Sequence, residues 1–263
     1  MTWTPADSLA AMRTAAPLVH CITNYVAMNY AANVLLAAGA SPAMVHTPEE
    51  AGDFAAIAAA LTVNIGTLSP HWVEGMSRAI AGARAAGRPW VLDPVAHFAT
   101  PYRQEVTRRL VAEAPTVIRG NASEILALGG EGSAGKGVDA GDPVEAAEAA
   151  ARRLAHETGA VVAVTGEVDF VTDGDRGARI AGGSPLMPLV TATGCALTAL
   201  TGAFLATGPD PFRATAAALA MFAAAGDRAG HAAQGPGSFA PAFLDALHAL
   251  SPADLNAAPV DMS

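Results

Sequence analysis

One strand–helix–strand unit is predicted for residues 61–94, LTVNIGTLSPHWVEGMSRAIAGARAAGRPWVLDP. The apolar run 61–65 predicts a buried strand, and residues 70–86 predict a helix that stops at Gly87. A second strand is predicted at residues 90–92. Two strands joined through a helix are typical of a parallel sheet that is covered by helices.

The same alternation continues on both sides of this unit. Strands are also predicted at residues 43–45, 116–118 and 160–164, and helices at residues 24–38, 48–60, 101–113, 121–128, 143–158, 194–207, 211–232 and 240–249. Residues 170–172 and 178–181 flank Asp173-Gly174-Asp175, which predicts a hairpin and hence an antiparallel edge. No linker divides the chain, so we expect an α/β fold, a three-layer α/β/α arrangement with a mostly parallel central sheet, in one domain over residues 1–263.

The composition excludes several classes of protein. Hydrophobic residues make up 52% of the 263 residues and charged residues 15%, which is the opposite of a disordered chain. The longest apolar stretches are interrupted by polar residues, so no membrane span is expected. With 15 basic against 24 acidic residues, a net charge of -9 and no basic cluster, nucleic-acid binding is not expected. Residues 1–11 show no basic segment followed by an apolar core, so no secretory signal is expected. The two cysteines, Cys21 and Cys195, are far apart and make no disulfide framework, so we expect a reducing, cytoplasmic setting.

Polar residues follow several predicted strands at the point where each strand ends. They are Asn64-Ile65-Gly66-Thr67, Asp93-Pro94, Arg119-Gly120-Asn121 and Thr165-Gly166-Glu167. In parallel sheets, ligands bind beyond the carboxyl ends of the strands. The pattern therefore predicts a binding site at this edge of the sheet.

A turn of small residues, Thr191-Ala192-Thr193-Gly194-Cys195, precedes the apolar helix 194–207. Unpaired N–H groups and the helix dipole at such a position suit a transferring phosphoryl group. The same position is expected to lower the pKa of the Cys195 thiol. The alternative is a helix that is capped by Thr193 and carries a buried structural cysteine.

Two further positions have both a structural and a functional interpretation. Asn121 and Glu124 have the spacing of a capping box, while Glu124 together with Asp93 could instead hold magnesium near a triphosphate. Arg119 suits phosphate because its fork binds two oxygens, although it could also be an ordinary surface arginine.

Other motifs carry less chemistry. Residues 130–136, GEGSAGK, lack the preceding strand and the following Ser or Thr of a P-loop, so a flexible loop is expected. His20 and Cys21 are adjacent in sequence and are not expected to form a nucleophilic pair. His46 and His97 lack metal-ligand spacing and are expected to be structural residues or to lie at the rim of a site.

Taken together and in order, eight segments resemble the hydroxyethylthiazole kinase family, a thiamine-salvage branch of the ribokinase-like superfamily. They are residues 20–26 (HCITNYV), 41–44 (SPAM), 63–67 (VNIGT), 93–95 (DPV), 119–124 (RGNASE), 164–169 (VTGEVD), 194–195 (GC) and 235–239 (GPGSF). Each is weak alone, but the ordered set covers nearly the whole chain.

The resemblance implies a ribokinase-like fold and ATP-dependent phosphorylation of the hydroxyl of 5-(2-hydroxyethyl)-4-methylthiazole, with Mg²⁺. It also implies a homotrimer with thiazole sites near subunit interfaces. By position it assigns the thiazole contacts to Met44, Asn24, Val26 and Ala192, the ATP phosphates to Arg119 and Thr165, magnesium to Asp93 and Glu124, and the anion hole and catalytic position to Gly194 and Cys195.

The chain departs from the family pattern at Ala192 and Thr193, where glycine and alanine are more usual, and this could narrow the approach to the substrate. Three other functions stay open. The first is a ribokinase-like ATP- or ADP-dependent dehydratase of a hydrated nicotinamide cofactor. The second is a hydrolase or transferase that uses Cys195 as nucleophile, and the third is a small-molecule binder without catalysis.

Overall fold

The computed structural model describes residues 3–130 and 144–262. The strands in these ranges are β1 Leu18–Ile22, β2 Ser41–Ala43, β3 Ala60–Asn64, β4 Trp90–Asp93, β5 Val117–Asn121, β6 Val161–Thr165, β7 Val168–Thr172, β8 Gly177–Ala181 and β9 Val260–Met262. They form one sheet in the order β2-β1-β3-β4-β5-β6-β7-β8-β9. Strands β1 to β6 are parallel, and β7, β8 and β9 each pair antiparallel with the strand before them in that order.

Helices cover both faces of this sheet. They are α1 Pro5–Ala15, α2 Met28–Ala38, α3 Pro48–Ile57, α4 Pro70–Ala85, α5 Pro101–Ala112, α6 Ala122–Leu128, α7 Val144–Thr158, α8 Thr193–Leu205, α9 Pro211–Ala232, α10 Pro236–Ala249 and α11 Pro252–Asn256. Neighbouring strand residues point to opposite faces, so Val91 belongs to the core with α2, α8 and α9, and Leu92 to the core with α4 and α7. The expected three-layer α/β/α architecture is confirmed.

Helix α8 lies unusually close to the sheet because a glycine faces the strands. A Cβ atom on Gly202 would come within 2.6 Å of the Thr62 side chain and 3.2 Å of the Val19 side chain. Only a residue without a side chain permits that approach. The close packing places the first turn of α8 at the carboxyl edge of the central strands.

Several predicted boundaries are wrong. Helix α2 begins at Met28 rather than at residue 24, because the Asn24 side chain accepts hydrogen bonds from the N–H groups of Val26 and Ala27 and makes a turn there. The strand predicted at 43–45 is β2 at Ser41–Ala43, whose edge position tolerates Pro42. Helix α10 begins at Pro236, four residues before the predicted start.

Elements near both ends of the chain were not predicted, namely α1, β1, α11 and β9. The predicted hairpin is present as β7 and β8, with Val168 opposite Ala181, but β9 pairs outside it and forms the antiparallel edge. Among the described residues, none of the helices is long and apolar enough to cross a membrane. The glycine-rich stretch 130–136, apart from Gly130, lies outside the described residues.

Candidate functional site

The carboxyl ends of four neighbouring strands carry a connected group of buried polar side chains. Asn64 ends β3 and is paired in register with Asp93, which ends β4. Arg119 lies in β5, and Thr165 ends β6. The structure thus brings together the strand-end residues that the sequence predicted, and it places the first turn of α8 beside them.

Asp93 lies at the centre of this group and is fully buried. Its Oδ2 accepts hydrogen bonds from Asn64 Nδ2 and Thr198 Oγ1, both at 2.7 Å, and lies 3.7 Å from Arg119 Nη1. Its Oδ1 is buried and has no hydrogen-bond partner among the described residues. Burial raises the pKa of Asp93 to about 6, against the opposing charge of Arg119 and with the support of the Glu124 charge. The protein alone therefore stabilises this carboxylate incompletely.

Arg119 connects the strand ends to helix α8. Its side chain is mostly buried and donates a hydrogen bond to Thr165 Oγ1. A Cβ atom on Gly194 would lie 2.9 Å from Nη1 and 3.1 Å from Nη2, so the guanidinium group rests against the glycine backbone. Its Nε has no partner among the described residues. Arg119 is not an ordinary surface arginine.

Helix α8 begins without a side-chain cap. Its N-cap residue is Ala192, in the left-handed conformation at φ 67°, and not Thr193. Thr193 is already inside the helix and donates its hydroxyl to the Val190 carbonyl. The interpretation of Thr193 as the cap is therefore wrong. The N–H groups of this first turn remain available to an anion, next to Gly194 and the guanidinium group of Arg119.

Cys195 is a protonated thiol rather than the expected thiolate. Asn24 Nδ2 donates to Cys195 Sγ at 3.3 Å. Burial raises the pKa of the Cys195 thiol to about 11, the Asp93 charge adds to this, and the Asn24 hydrogen bond opposes it only in part. The predicted lowering of this pKa is wrong because burial and a nearby carboxylate outweigh the helix N-terminus.

Glu124 makes the capping box considered for it, and its carboxylate also lies near Asp93. The capping box is present, since the Asn121 side chain accepts from the Glu124 N–H and Glu124 Oε2 accepts from the Asn121 N–H at 2.8 Å. Glu124 Oε1 accepts from the Ala96 N–H at 2.9 Å. His97 Nε2 hydrogen-bonds to the Glu124 carbonyl at 3.0 Å. The carboxylate is thereby fixed near Asp93, whose pKa its charge raises.

Two segments beside this group carry the residues that the resemblance assigns to the thiazole. Val26 is 62% exposed, and Met44 is half-buried against the core. The ring of Trp72 in α4 packs against Tyr25 at 5.0 Å and against His46 at 4.6 Å between centroids. One buried side chain thus holds the segments of both Val26 and Met44.

Three contributors were missed as individual site residues. Asn64 was noted only as part of a strand end, although its position at the end of an apolar run was a usable signal. Thr198 lies one turn after Gly194 on the same helix face, which is a weaker signal. Arg103 in α5 donates to the carbonyls of Ile65, Gly66 and Val95 at 2.8–2.9 Å and fixes the loops after β3 and β4. No local pattern indicated the role of Arg103.

Comparisons with known proteins give one consistent result. A profile of the Hydroxyethylthiazole kinase family matches residues 9–253. The hydroxyethylthiazole kinase of Cereibacter sphaeroides (strain ATCC 17023) is 68% identical over 248 residues, which cover 94% of each chain. The structure of the hydroxyethylthiazole kinase protein from Pyrococcus horikoshii OT3 superposes with a TM-score of 0.91 at 40% identity, covering 98% of each chain.

A more distant match bears on the fold alone. The pyridoxal kinase from Staphylococcus aureus in complex with AMP-PCP and pyridoxal superposes with a TM-score of 0.60 at 19% identity. The match covers 81% of this chain and 88% of that one. The ribokinase-like fold expected from the resemblance is confirmed.

Proposed function

This chain belongs to the hydroxyethylthiazole kinase family, and we propose that it transfers the γ-phosphoryl group of ATP to the hydroxyl oxygen of 5-(2-hydroxyethyl)-4-methylthiazole in thiamine salvage. One observation on the residues of this chain supports the proposal most directly. The uncapped first turn of α8 and the Arg119 guanidinium group meet at Gly194, beside the buried Asp93 carboxylate. Positive groups that converge beside a carboxylate suit a phosphoryl group in transfer.

In this proposal, Arg119 and Thr165 bind the ATP phosphates. Arg119 is held in place by Thr165 before ATP arrives, so little side-chain entropy is lost on binding. The N–H groups in the first turn of α8, around Gly194, stabilise the charge on the transferring phosphoryl group. Because such transfer depends mostly on positioning and charge, these groups supply the larger part of the rate.

Mg²⁺ fits the carboxylates that are present. Among the described residues no group of three or more His, Cys, Asp or Glu side chains could hold a metal ion alone. Magnesium in kinases is held by one or two carboxylates together with the substrate phosphates. Asp93 Oδ1 is a buried oxygen that has no partner in the described part of the chain, and Glu124 is fixed nearby, so these two residues would hold the ion. When bound, it would neutralise phosphate charge.

Cys195 orients the thiazole hydroxyl in this proposal. A thiol with a pKa of about 11 is a weak base at neutral pH, so removal of the hydroxyl proton before transfer is not its main role. The loose transition state of phosphoryl transfer does not demand a strong base. The hydroxyl would instead be aligned by the Cys195 sulfur, which the Asn24 amide holds in place.

The thiazole ring would lie among Met44, Val26, Asn24 and Ala192, and a second subunit would cover it in a homotrimer. The exposed apolar side chains of Val26 and its neighbour Tyr25, at 62% and 66%, support a subunit that covers them. Apolar contacts of a small ligand are normally buried. Native mass spectrometry measures the assembly, and a monomer at working concentration would contradict the proposed trimer.

Both cysteines are free, which supports the proposed reducing, cytoplasmic setting.

The alternative nucleophilic role of Cys195 is not supported. Among the described residues, the groups that act on its thiol are Asn24, Asn64, Asp93 and Arg119, and none of them is a histidine base. A nucleophilic cysteine needs an adjacent base or a lowered pKa. The nicotinamide-cofactor dehydratase has no specific observation in its favour.

The deciding experiment measures ATP consumption by the purified protein with the thiazole alcohol, with pyrimidine alcohols and with sugars, each with and without Mg²⁺. We expect turnover that needs both the thiazole alcohol and Mg²⁺, with the thiazole phosphate as product by mass spectrometry. Faster consumption with another alcohol, or none with the thiazole, would overturn the proposal.

A further inference from the structure

The Asn64 side chain contacts both halves of the site. It is buried, ends β3, and lies between the segment that follows β1 and the end of β4. Asn64 Oδ1 accepts from Asn24 Nδ2 and from the Gly66 N–H, both at 2.9 Å. Asn64 Nδ2 donates to Asp93 Oδ2 at 2.7 Å. Both ends of the amide are therefore used by different parts of the site.

The backbone fixes the direction of these hydrogen bonds. The Gly66 N–H can only donate, so the oxygen of the Asn64 amide must face it and the nitrogen must face Asp93. Asn24 must then present its nitrogen to Asn64. Its oxygen turns to the N–H groups of Val26 and Ala27, at 3.1 and 3.0 Å. The second N–H of Asn24 is left to donate to Cys195 Sγ at 3.3 Å.

Both ends of this chain of hydrogen bonds have chemical consequences. At one end, the Cys195 sulfur accepts a hydrogen bond from the Asn24 amide. At the other end, Asp93 Oδ2 is occupied by Asn64 and Thr198, which leaves Oδ1 as the oxygen without a partner. One neutral side chain thus contacts both Asp93 and the amide that donates to Cys195.

We propose that Asn64 is a positioning residue for this site, fixing the Asn24 amide toward Cys195 and the Asp93 carboxylate toward the phosphate side. The proposal rests on the proposed kinase function for its effect on rate. Its effect on Cys195 is independent of that function.

The test replaces Asn64 by leucine, which has similar bulk and no polar atoms. Thr62→Val is the matched control, because Thr62 is a buried polar residue two positions earlier on the same strand and face. In Asn64→Leu we expect kcat with the thiazole alcohol to fall by about 10²-fold, because displacement of reacting groups by an ångström has that effect. KM for ATP should stay within about threefold, since Arg119 and Thr165 are not bonded to Asn64. Thr62→Val should match the unsubstituted protein.

A second readout does not need activity. Iodoacetamide alkylation from about pH 8 to about pH 12, followed by peptide mass spectrometry that resolves Cys195 from the buried Cys21, reports the thiolate of Cys195. Asn64→Leu removes the Asn64 amide and the acceptor that fixes the Asn24 amide, and both amides lower the Cys195 pKa, so the bend of the Cys195 profile should move upward by about half a unit or more. Altered access to the sulfur would change the rate at every pH without moving the bend.

The outcomes separate cleanly. If Asn64→Leu lowers thermal stability but keeps kcat and the alkylation profile, Asn64 is only structural and the inference is wrong. If Asn64→Leu does not fold, Asn64→Ala serves in its place, since it removes both the acceptor for Gly66 and Asn24 and the donor to Asp93 without adding bulk. It should lower kcat at least about tenfold, and wild-type kcat would refute the inference. If the unsubstituted protein does not phosphorylate the thiazole, the proposed function fails, and the alkylation profile still decides the role of Asn64 toward Cys195.

Discussion

Substitution of Gly194 by alanine should separate the chemistry of the site from the stability of helix α8. The added Cβ would lie 2.9 and 3.1 Å from the terminal nitrogens of Arg119, whereas ordinary contacts begin near 3.4 Å. The guanidinium group must therefore withdraw by about half an ångström. Hydrogen bonds to charged groups contribute about 1.5–3 kcal/mol, so a misplaced Arg119 should lower kcat/KM for ATP by about 10- to 100-fold.

The fold should not suffer from this change. Gly194 is the second residue of α8, and alanine is favoured over glycine in helices by about 0.5–1 kcal/mol, which offsets the displacement of a flexible side chain. We therefore expect an unchanged or slightly higher melting temperature together with the loss of activity. Gly237→Ala is the matched control, because Gly237 is the second residue of α10 and a Cβ there would contact nothing within 4 Å.

The assay is steady-state kinetics with ATP varied at saturating thiazole alcohol and Mg²⁺, with thermal unfolding measured on the same samples. Gly237→Ala should retain the parent kinetics. Wild-type kcat/KM for ATP in Gly194→Ala would refute the reasoning, since it would mean that Arg119 does not need its position against the helix. A loss of activity that follows a fall in melting temperature would also contradict it.

Three further predictions follow from individual residues. Cys195→Ala should lower kcat only about tenfold at pH 7 with KM for ATP unchanged, because a thiol of pKa about 11 contributes less than a matched general base, and a loss near 10³-fold would make Cys195 that base. Asp93→Asn should abolish Mg²⁺-dependent turnover yet raise the melting temperature of the metal-free protein at pH 7. Folding raises the pKa of Asp93 from 3.8 to about 6, so ionisation of its carboxylate lowers the free energy of unfolding as the pH rises from about 4 to above 6. The higher melting temperature of Asp93→Asn should therefore vanish near pH 4. Ala192→Gly should raise the melting temperature by about 2 °C, because φ 67° costs alanine about 1–2 kcal/mol and the flexibility of glycine in the unfolded chain offsets part of that gain; an unchanged or lower value would show that Ala192 is not strained.

The centre of the fold was predictable because its signals are local. Strands β3 and β4 are apolar runs, and α4 between them begins at a proline and is followed by a glycine. Strand β1 was missed because the polar residue His20 interrupts its apolar run. In the structure His20 is buried and hydrogen-bonds to the Val45 carbonyl. Strand β9 has three residues and exists through its pairing with β8, which no local pattern contains.

The sequence predicted where the site lies, but not the burial and the charges that set the pKa values of its residues. Strand ends indicated Asp93 and Arg119, because polar residues there converge in a parallel sheet. The protonation of Cys195 was predicted with the wrong sign, since a helix N-terminus is visible in sequence but burial and the charge of Asp93 are not. The sequence offered capping and magnesium binding as alternatives for Glu124, whereas in the structure the capping carboxylate also lies near Asp93, so a capping role does not exclude a second one.

The packing of Tyr25 and His46 on Trp72 bears on how substrate preference could change. The segments that carry Val26 and Met44 are far apart along the chain, yet both rest on this one indole. A substitution at Trp72 would shift both segments of the proposed ring site together while leaving the strand ends in place. A small library at this single position, selected with bulkier heterocyclic alcohols, is therefore a compact route to engineered kinases of altered acceptor range.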